Sequence, residues 1–275
     1  MTEPRPRPRS RAPLVRASFA LHAAGAALCL AAPRAWPWAV GGLVADHALL
    51  MAGCLWPRST LLGPNLRRMA PGIAEADVVA LTFDDGPDPE TTLRVLELLG
   101  ARGARASFFC VGRRAEAFPE VVAEIARRGH RVENHSYHHS KAFSIIGPRR
   151  LAIELDRAQE VLTRCAGAPP RWFRAPAGLR SPWLDPALQA RRLELVSWTR
   201  RAFDTVSRDP HAIVRRLTRG LAPGDILLLH DGSARRQPPR RAPVLDALPS
   251  LLDHLERSGL RAVSLPAPAA PPALG

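Results

Sequence analysis

The sequence predicts an α/β domain on a parallel sheet, either curled into a small barrel or open and doubly wound. Three observations carry that expectation. From about residue 76, short β-rich runs alternate with helical patterns, and strand–helix–strand repetition leaves neighbouring strands parallel. The residues best suited to chemistry fall just after the C-terminal ends of those runs, the face on which such folds build active sites. The first quarter of the chain is basic and strongly apolar, and stands apart from the rest.

At 275 residues, 46% of them apolar, the chain holds one large domain plus a short extra segment, and its composition excludes general disorder. The formal charge of +14 rests almost wholly on arginine, Lys141 being the single lysine. Residues 1–70 hold nine arginines against two acids, Glu3 and Asp46, beside long apolar runs, which is how membrane segments are flanked. No helix-turn-helix, zinc-finger or aromatic-plus-basic platform accompanies the charge, so no nucleic-acid partner is expected. Cys29, Cys54, Cys110 and Cys165 show no Cys-x-x-Cys spacing and read as free thiols.

In chain order, residues 1–13 alternate Pro and Arg and are expected as a disordered basic arm. Two apolar stretches, 14–32 and 36–56, follow on either side of Pro33-Arg34. Each is near the ~20 residues an α-helix needs to cross a bilayer. Trp36, Trp38 and Trp56 flank the second as interfacial aromatics do, whereas Asp46 and His47 inside it are costly at mid-bilayer. A secretory signal competes, with a basic start, an Ala-rich centre and Ala31-Ala32-Pro33, but it leaves the second stretch unexplained. A membrane-associated hairpin or signal-anchor over 14–56 is therefore the favoured reading, at a bacterial inner membrane. Arginines on both sides of the hairpin would keep both ends cytoplasmic, while a single effective span would put the domain outside, so the side stays open.

Residues 57–75 are expected as a linker, 76–265 as the main α/β domain and 266–275 as a flexible tail. Strands are expected at 78–83, 107–111, 131–133, 172–174, 193–198, 225–230 and 261–264, and helices at 91–102, 119–128, 149–166, 186–192, 210–221 and 244–258. Gly129 and Gly259 fit helix C-caps.

Asp84 and Asp85 follow the first strand within Leu81-Thr82-Phe83-Asp84-Asp85-Gly86-Pro87, and adjacent carboxylates repel unless a cation offsets them. A plain turn explains the same residues. His135, His138 and His139 lie within five residues after the third strand, a composition suited to zinc, against the alternative of a solvated polar loop. An Asp–His–His set leaves coordination positions open, as catalytic metal sites require. Arg174 opens the Pro-stiffened run Arg174-Ala175-Pro176-Ala177-Gly178, able to aim a backbone N–H at an oxyanion. His230 ends the apolar strand Ile226-Leu227-Leu228-Leu229 and becomes a candidate general acid opposite a metal site.

Taken together, Thr82-Phe83-Asp84-Asp85-Gly86-Pro87, His135-Ser136-x-x-His139, Arg174-x-Pro176-x-Gly178 and Leu227-x-Leu229-His230-Asp231 resemble the NodB-homology polysaccharide deacetylases, carbohydrate esterase family 4. The resemblance runs over about residues 76–265 and leaves out the N-terminal quarter. It implies a distorted (β/α) barrel of about seven strands and hydrolysis of an N-acetyl group on an amino sugar of a polysaccharide or oligosaccharide. It also implies Asp85, His135 and His139 as ligands of one divalent ion, Zn2+ first, with Co2+, Ni2+ or Mn2+ as alternatives. In the same way it makes Asp84 the general base, Arg174 the cation that holds it ionised and His230 the general acid. Ala177 would share the oxyanion through its N–H, and Leu228 would line the acetyl-methyl pocket. The fourth motif departs from the family pattern: Trp198 and Asp204 are present, but the Trp that commonly follows that Asp is Thr205. Asp204 can still polarise His230, while the wall that grips the sugar is altered.

Two other functions fit the same residues. One is deformylation or deacetylation of a lipid-linked amino sugar, with Arg200, Arg201, Arg235, Arg236, Arg240 and Arg241 making the mouth attractive to phosphate. The other is a non-catalytic carbohydrate-binding relative.

Overall fold

The computed structural model describes residues 12–69, 77–140, 142–232 and 242–268. The basic arm up to residue 11, the loop arginines 235, 236, 240 and 241, and the tail from 269 lie outside the described residues.

The chain opens with α1 (Pro13–Ala31) and α2 (Trp36–Leu55). It continues through β1 (Val78–Asp84), α3 (Thr91–Gly100), β2 (Ser107–Cys110), α4 (Gly112–Ala117), α5 (Pro119–Arg127), β3 (Arg131–Asn134), α6 (Pro148–Ala166) and β4 (Trp172–Phe173). Then come α7 (Leu184–Gln189), β5 (Glu194–Leu195), β6 (Arg200–Arg201), α8 (Pro210–Thr218), β7 (Ile226–His230), α9 (Pro243–Arg257) and β8 (Arg261–Val263). Gly129 and Gly259, with φ of 76° and 70°, take the left-handed conformation that ends helices.

All strand pairs are parallel, in the order β5-β4-β3-β2-β1-β7-β6. β8 pairs with the first half of β1 while β2 pairs with the second, so β8 wedges in at the bottom. This is the curled, distorted barrel with seven strands on its main path, and it excludes the open doubly wound alternative. Every residue of β1 is buried, and its side chains divide by the period of two. Val79, Leu81 and Phe83 pack outward against Leu96, Val244 and Leu248 of the helical layer. Val78 and Ala80 pack inward with Phe109, Trp172, Val196, Ile226 and Leu265. Thr82 and Asp84 continue the inward row toward the top.

Three expectations need correction. The strand expected over 193–198 is cut to Glu194–Leu195, because the residues after it pair with an earlier segment: Leu66 bridges Val196 in parallel, and Ser197 N donates to Leu66 O at 2.8 Å. That segment was expected as part of a linker. Instead Arg68 bridges Asp225 and Met69 N donates to Gly224 O at 2.8 Å, so residues 66–69 span the gap between β5 and β7. The short elements α4 and β6 were not expected at all.

The hairpin explains its own polar residues. Ser18 Oγ donates to Asp46 Oδ2 at 2.6 Å, so the carboxylate that weighed against a span is paired between the two helices. The outer faces are apolar and bare: Leu30 is 85% exposed and Trp38 81%. Only 11% of the apolar window of the first helix and 17% of that of the second are buried.

Candidate active site

The inward row of each strand ends at the top of the barrel, and there the row turns polar. Asp84 lies at the end of β1, level with His230 at the end of β7. His135 follows β3, its N–H donating to Cys110 O, and Arg174 follows β4, its N–H donating to Asn134 O. Five non-glycine residues with left-handed φ gather here, Asp85 (74°), Ser136 (63°), His139 (55°), Ala177 (54°) and Phe203 (56°). Such strain persists only where surrounding contacts over-determine it, and it concentrates at functional sites.

Asp85, His135 and His139 present ligand atoms that all lie within 4.8 Å of one another. Asp85 Oδ1 is 3.4 Å from His135 Nε2 and 3.1 Å from His139 Nε2. The tautomer suits ligation: His135 Nδ1 sits 2.8 Å from Arg174 O, so it carries the proton and leaves the Nε2 lone pair free toward the carboxylates. Burial opposes ionisation of Asp85, yet the adjoining His135 and His139 imidazoles outweigh it and hold the carboxyl well below its usual range. One carboxylate and two imidazoles in this arrangement fit a divalent ion of the zinc type. His138, the third histidine of the run, points elsewhere, its Nδ1 lying 2.5 Å from Glu154 Oε1. The loop is shaped locally: Ser136 N donates to Asn134 Oδ1 at 2.9 Å and His139 N to Ser136 Oγ at 3.1 Å.

Asp84, 3% exposed, accepts from Arg174 Nη1 at 2.7 Å, and its Oδ2 lies 3.8 Å from His135 Nε2. Arg174, 1% exposed, is fixed by three further contacts. It donates to Thr82 Oγ1 at 2.8 Å and Ser197 O at 2.9 Å, and it stacks 4.1 Å over the Phe109 ring. On the opposite side His230 is held twice by one carboxylate: its backbone N–H donates to Asp204 Oδ2 at 2.8 Å, and its Nδ1 lies 2.7 Å from Asp204 Oδ1. Burial lowers the imidazole pKa, but the Asp204 carboxylate, aided by Asp84 and Asp85, outweighs it and raises the value above 6.5. In the Pro176–Gly178 turn, Gly178 and Leu179 N–H donate to Ala175 and Pro176 carbonyls, which leaves the Ala177 N–H uncommitted among the described residues. Leu228, 1% exposed, and Trp198, 7% exposed, complete the set.

Several contributions come only with the structure. Asp231 is fully buried, accepts from Thr92 Oγ1 at 2.6 Å, and is pushed up to about 7 by burial. The base of the hairpin reaches the site as well. Pro57 shares a small cavity with Arg174, Ala175, Gly178 and Trp198. A Cβ on Gly178 would lie 2.5 Å from Pro57 Cβ. Buried Arg180 donates to Ser59 O at 2.7 Å and Leu62 O at 2.9 Å, while its N–H donates to Cys54 O in the last turn of α2. The loop carrying Ala177 is thus tied directly to the apolar hairpin. Of the arginines expected to charge the mouth, Arg200 does not contribute, because it is bound to Asp225 at 2.6 Å and to the carbonyls of Arg219 and Gly220.

Fold and site together define a class, a distorted β/α barrel with an Asp–His–His centre and a second Asp–His pair at its mouth. The family model described as polysaccharide deacetylase matches residues 72–195. A peptidoglycan-N-acetylglucosamine deacetylase of Bacillus cereus is 31% identical over 189 residues, 68% of this chain and 66% of that protein. A chitooligosaccharide deacetylase of Sinorhizobium fredii is 36% identical over 163 residues, 57% of this chain and 73% of that one. Among solved structures, the family 4 carbohydrate esterase from Streptomyces lividans with acetate superposes with a TM-score of 0.60 at 30% identity, covering 68% of this chain and 91% of that one. The chain belongs to the NodB-homology polysaccharide deacetylases of carbohydrate esterase family 4, a family of hydrolases of carbon–nitrogen amide bonds.

Proposed function

We propose that this chain removes the N-acetyl group from an amino sugar of a polysaccharide or oligosaccharide, using one divalent ion held by Asp85, His135 and His139. The observation that carries the reading is the convergence of those three ligand atoms within 4.8 Å, beside the buried Asp84–Arg174 pair. Zn2+ suits the mixed oxygen–nitrogen set best, and Co2+, Ni2+ or Mn2+ accept the same donors. When bound, the ion supplies Lewis-acid polarisation of the amide carbonyl and makes a water more acidic.

The chain's own residues supply the rest. Asp84 takes a proton from the water as its oxygen bonds to the carbonyl carbon, and Arg174 keeps that carboxylate ionised and aimed. The Ala177 N–H donates to the oxyanion as it develops. His230, held by Asp204, gives its proton to the nitrogen as the C–N bond breaks, releasing acetate and the free amine. Leu228 lines the acetyl-methyl pocket, and Trp198 forms a wall for the sugar.

The α1–α2 hairpin anchors the enzyme in the membrane, a bacterial inner membrane. Two adjacent apolar helices that pair Ser18 with Asp46 and leave their outer faces bare support a hairpin over a cleaved signal. Because Pro57 and Arg180 tie the hairpin to the loop at the mouth, a second reading has specific support: deacetylation or deformylation of an amino sugar carried on a lipid. The test is release of acetate and formate by the purified full chain from N-acetyl oligosaccharides and lipid-linked amino sugars, before and after chelation. Chelator-sensitive acetate release supports the main reading. Release of neither acid from any substrate at full metal occupancy overturns it.

A further inference from the structure

Resting on the deacetylase reading, we propose that Arg201, held between Trp198 and Phe203, is a subsite for an oxyanion on the substrate, a phosphate or carboxylate attached to the amino sugar. Register decides which of two adjacent arginines faces the site. Arg200 pairs with Leu227 and Arg201 with Leu228 across β6 and β7. Leu227 packs outward into the helical core, so its partner Arg200 lies on the outer side, where its hydrogen bonds to Asp225, Arg219 and Gly220 are found. Arg201 therefore shares the inward face with Leu228 and, two residues further along β7, with His230. At ~3.3 Å per residue its Cα sits about 7 Å below the level of His230, within reach of the mouth for a side chain of this length.

Among the described residues its surroundings are those of a prepared cation without a counter-ion. The guanidinium carbon lies 5.4 Å from the Trp198 ring centre and 4.9 Å from that of Phe203, and such stacking fixes the plane of an arginine while leaving its in-plane donors free. Nε is buried with no hydrogen-bond partner, and among the described residues no carboxylate pairs with Arg201. The neighbouring Arg200 shows what a structural arginine on this strand looks like, with three acceptors. Phe203, 47% exposed with a φ of 56°, is kept in a strained conformation that brings its ring to the guanidinium. The group belongs to the altered fourth motif, which keeps Trp198 and Asp204 but has Thr205 in place of a second aromatic residue, so charge here would replace a second apolar grip on the sugar. A planar, stacked guanidinium selects flat or tetrahedral oxyanions that accept two parallel hydrogen bonds.

The test compares three probes by calorimetry on the full chain in detergent: N-acetylglucosamine, N-acetylglucosamine 1-phosphate and N-acetylmuramic acid. The wild type should bind at least one anionic sugar about tenfold more tightly than the neutral one, with the ratio shrinking as salt rises. Arg201→Gln should bring that ratio to about one, and Arg201→Lys should recover only part of it, because an ammonium keeps the charge but not the fork. Preference for the phosphate alone points to a lipid-carried or nucleotide-carried sugar, and preference for the lactyl carboxylate alone to a cell-wall glycan. A wild type with no preference for either anion, or an Arg201→Gln protein of unchanged thermal unfolding that keeps the preference, overturns the subsite. Failure of the deacetylase reading shows separately, as the absence of acetate release from all three sugars.

Discussion

Asp204→Asn isolates the contribution of one carboxylate to the proton donor. Asp204 is 4% exposed and grips His230 twice, through the backbone N–H at 2.8 Å and Nδ1 at 2.7 Å. Burial disfavours the imidazolium, and the hydrogen bond to Asp204, followed by its charge, reverses this and raises the His230 pKa above 6.5. A hydrogen bond to a charged group contributes about 1.5–3 kcal/mol net. Asn keeps an acceptor but not the charge, so the imidazole pKa falls in the variant. His230 must be protonated to serve the leaving nitrogen, so the alkaline limb of kcat/KM should move to lower pH. The rate near neutrality should fall on the order of 10²–10⁴-fold. Stability follows the same sign. A raised histidine contributes stability that is present below its unfolded value near 6.5 and is lost as pH rises through the folded value. The variant should therefore be destabilised most at about pH 5–6 and least well above the folded value. The assay is acetate release across the pH range for both proteins at equal metal occupancy. An alkaline limb that stays in place while only its height changes would refute the assignment of His230 and Asp204.

Asp84→Asn should keep one equivalent of metal and lose about 10²–10⁴ in kcat, read by metal analysis beside acetate release. Gly178→Ala meets a φ of 75° and a Pro57 Cβ at 2.5 Å, so thermal unfolding should show a loss of about 2–4 kcal/mol, with activity falling because the Ala177 loop shifts. Asp231 and Glu133, both raised to about 7 by burial, hold protons in the folded state that the unfolded chain releases near pH 4. Unfolding free energy should therefore decline from about pH 4 to about pH 7, and Asp231→Asn should remove part of that slope in denaturant titrations.

Much of this arrangement is written locally. The run Val78–Asp84 is apolar on both faces until Thr82 and Asp84 near its end, which is how a strand buried in a barrel and ending at an active site must read. The strand-end positions of Asp84, His135, Arg174 and His230 followed from the alternation of strands and helices alone. Other features depend on partners far away in sequence and leave no local trace. Nothing in Asn65-Leu66-Arg67-Arg68 announces that it closes the sheet, because its pairing with Val196 and Asp225 spans more than half the domain. His138 is as good a ligand in composition as His139, and only Glu154 on α6 turns it away. Arg200 and Arg201 are identical in kind, and a one-residue step of register sends one to the outer layer and the other toward the mouth. Asp46 reads as a defect in an apolar helix until Ser18 is found opposite.

The most direct test of the central claim is turnover measured against metal occupancy, by elemental analysis of the full chain during chelation and re-addition of Zn2+. Acetate release should rise in proportion to occupancy up to one ion per chain, and Asp85→Ala and His135→Ala should bind no ion at that site and release no acetate. Undiminished release from fully metal-free protein, or stoichiometric binding by the Asp85→Ala and His135→Ala proteins, would contradict it.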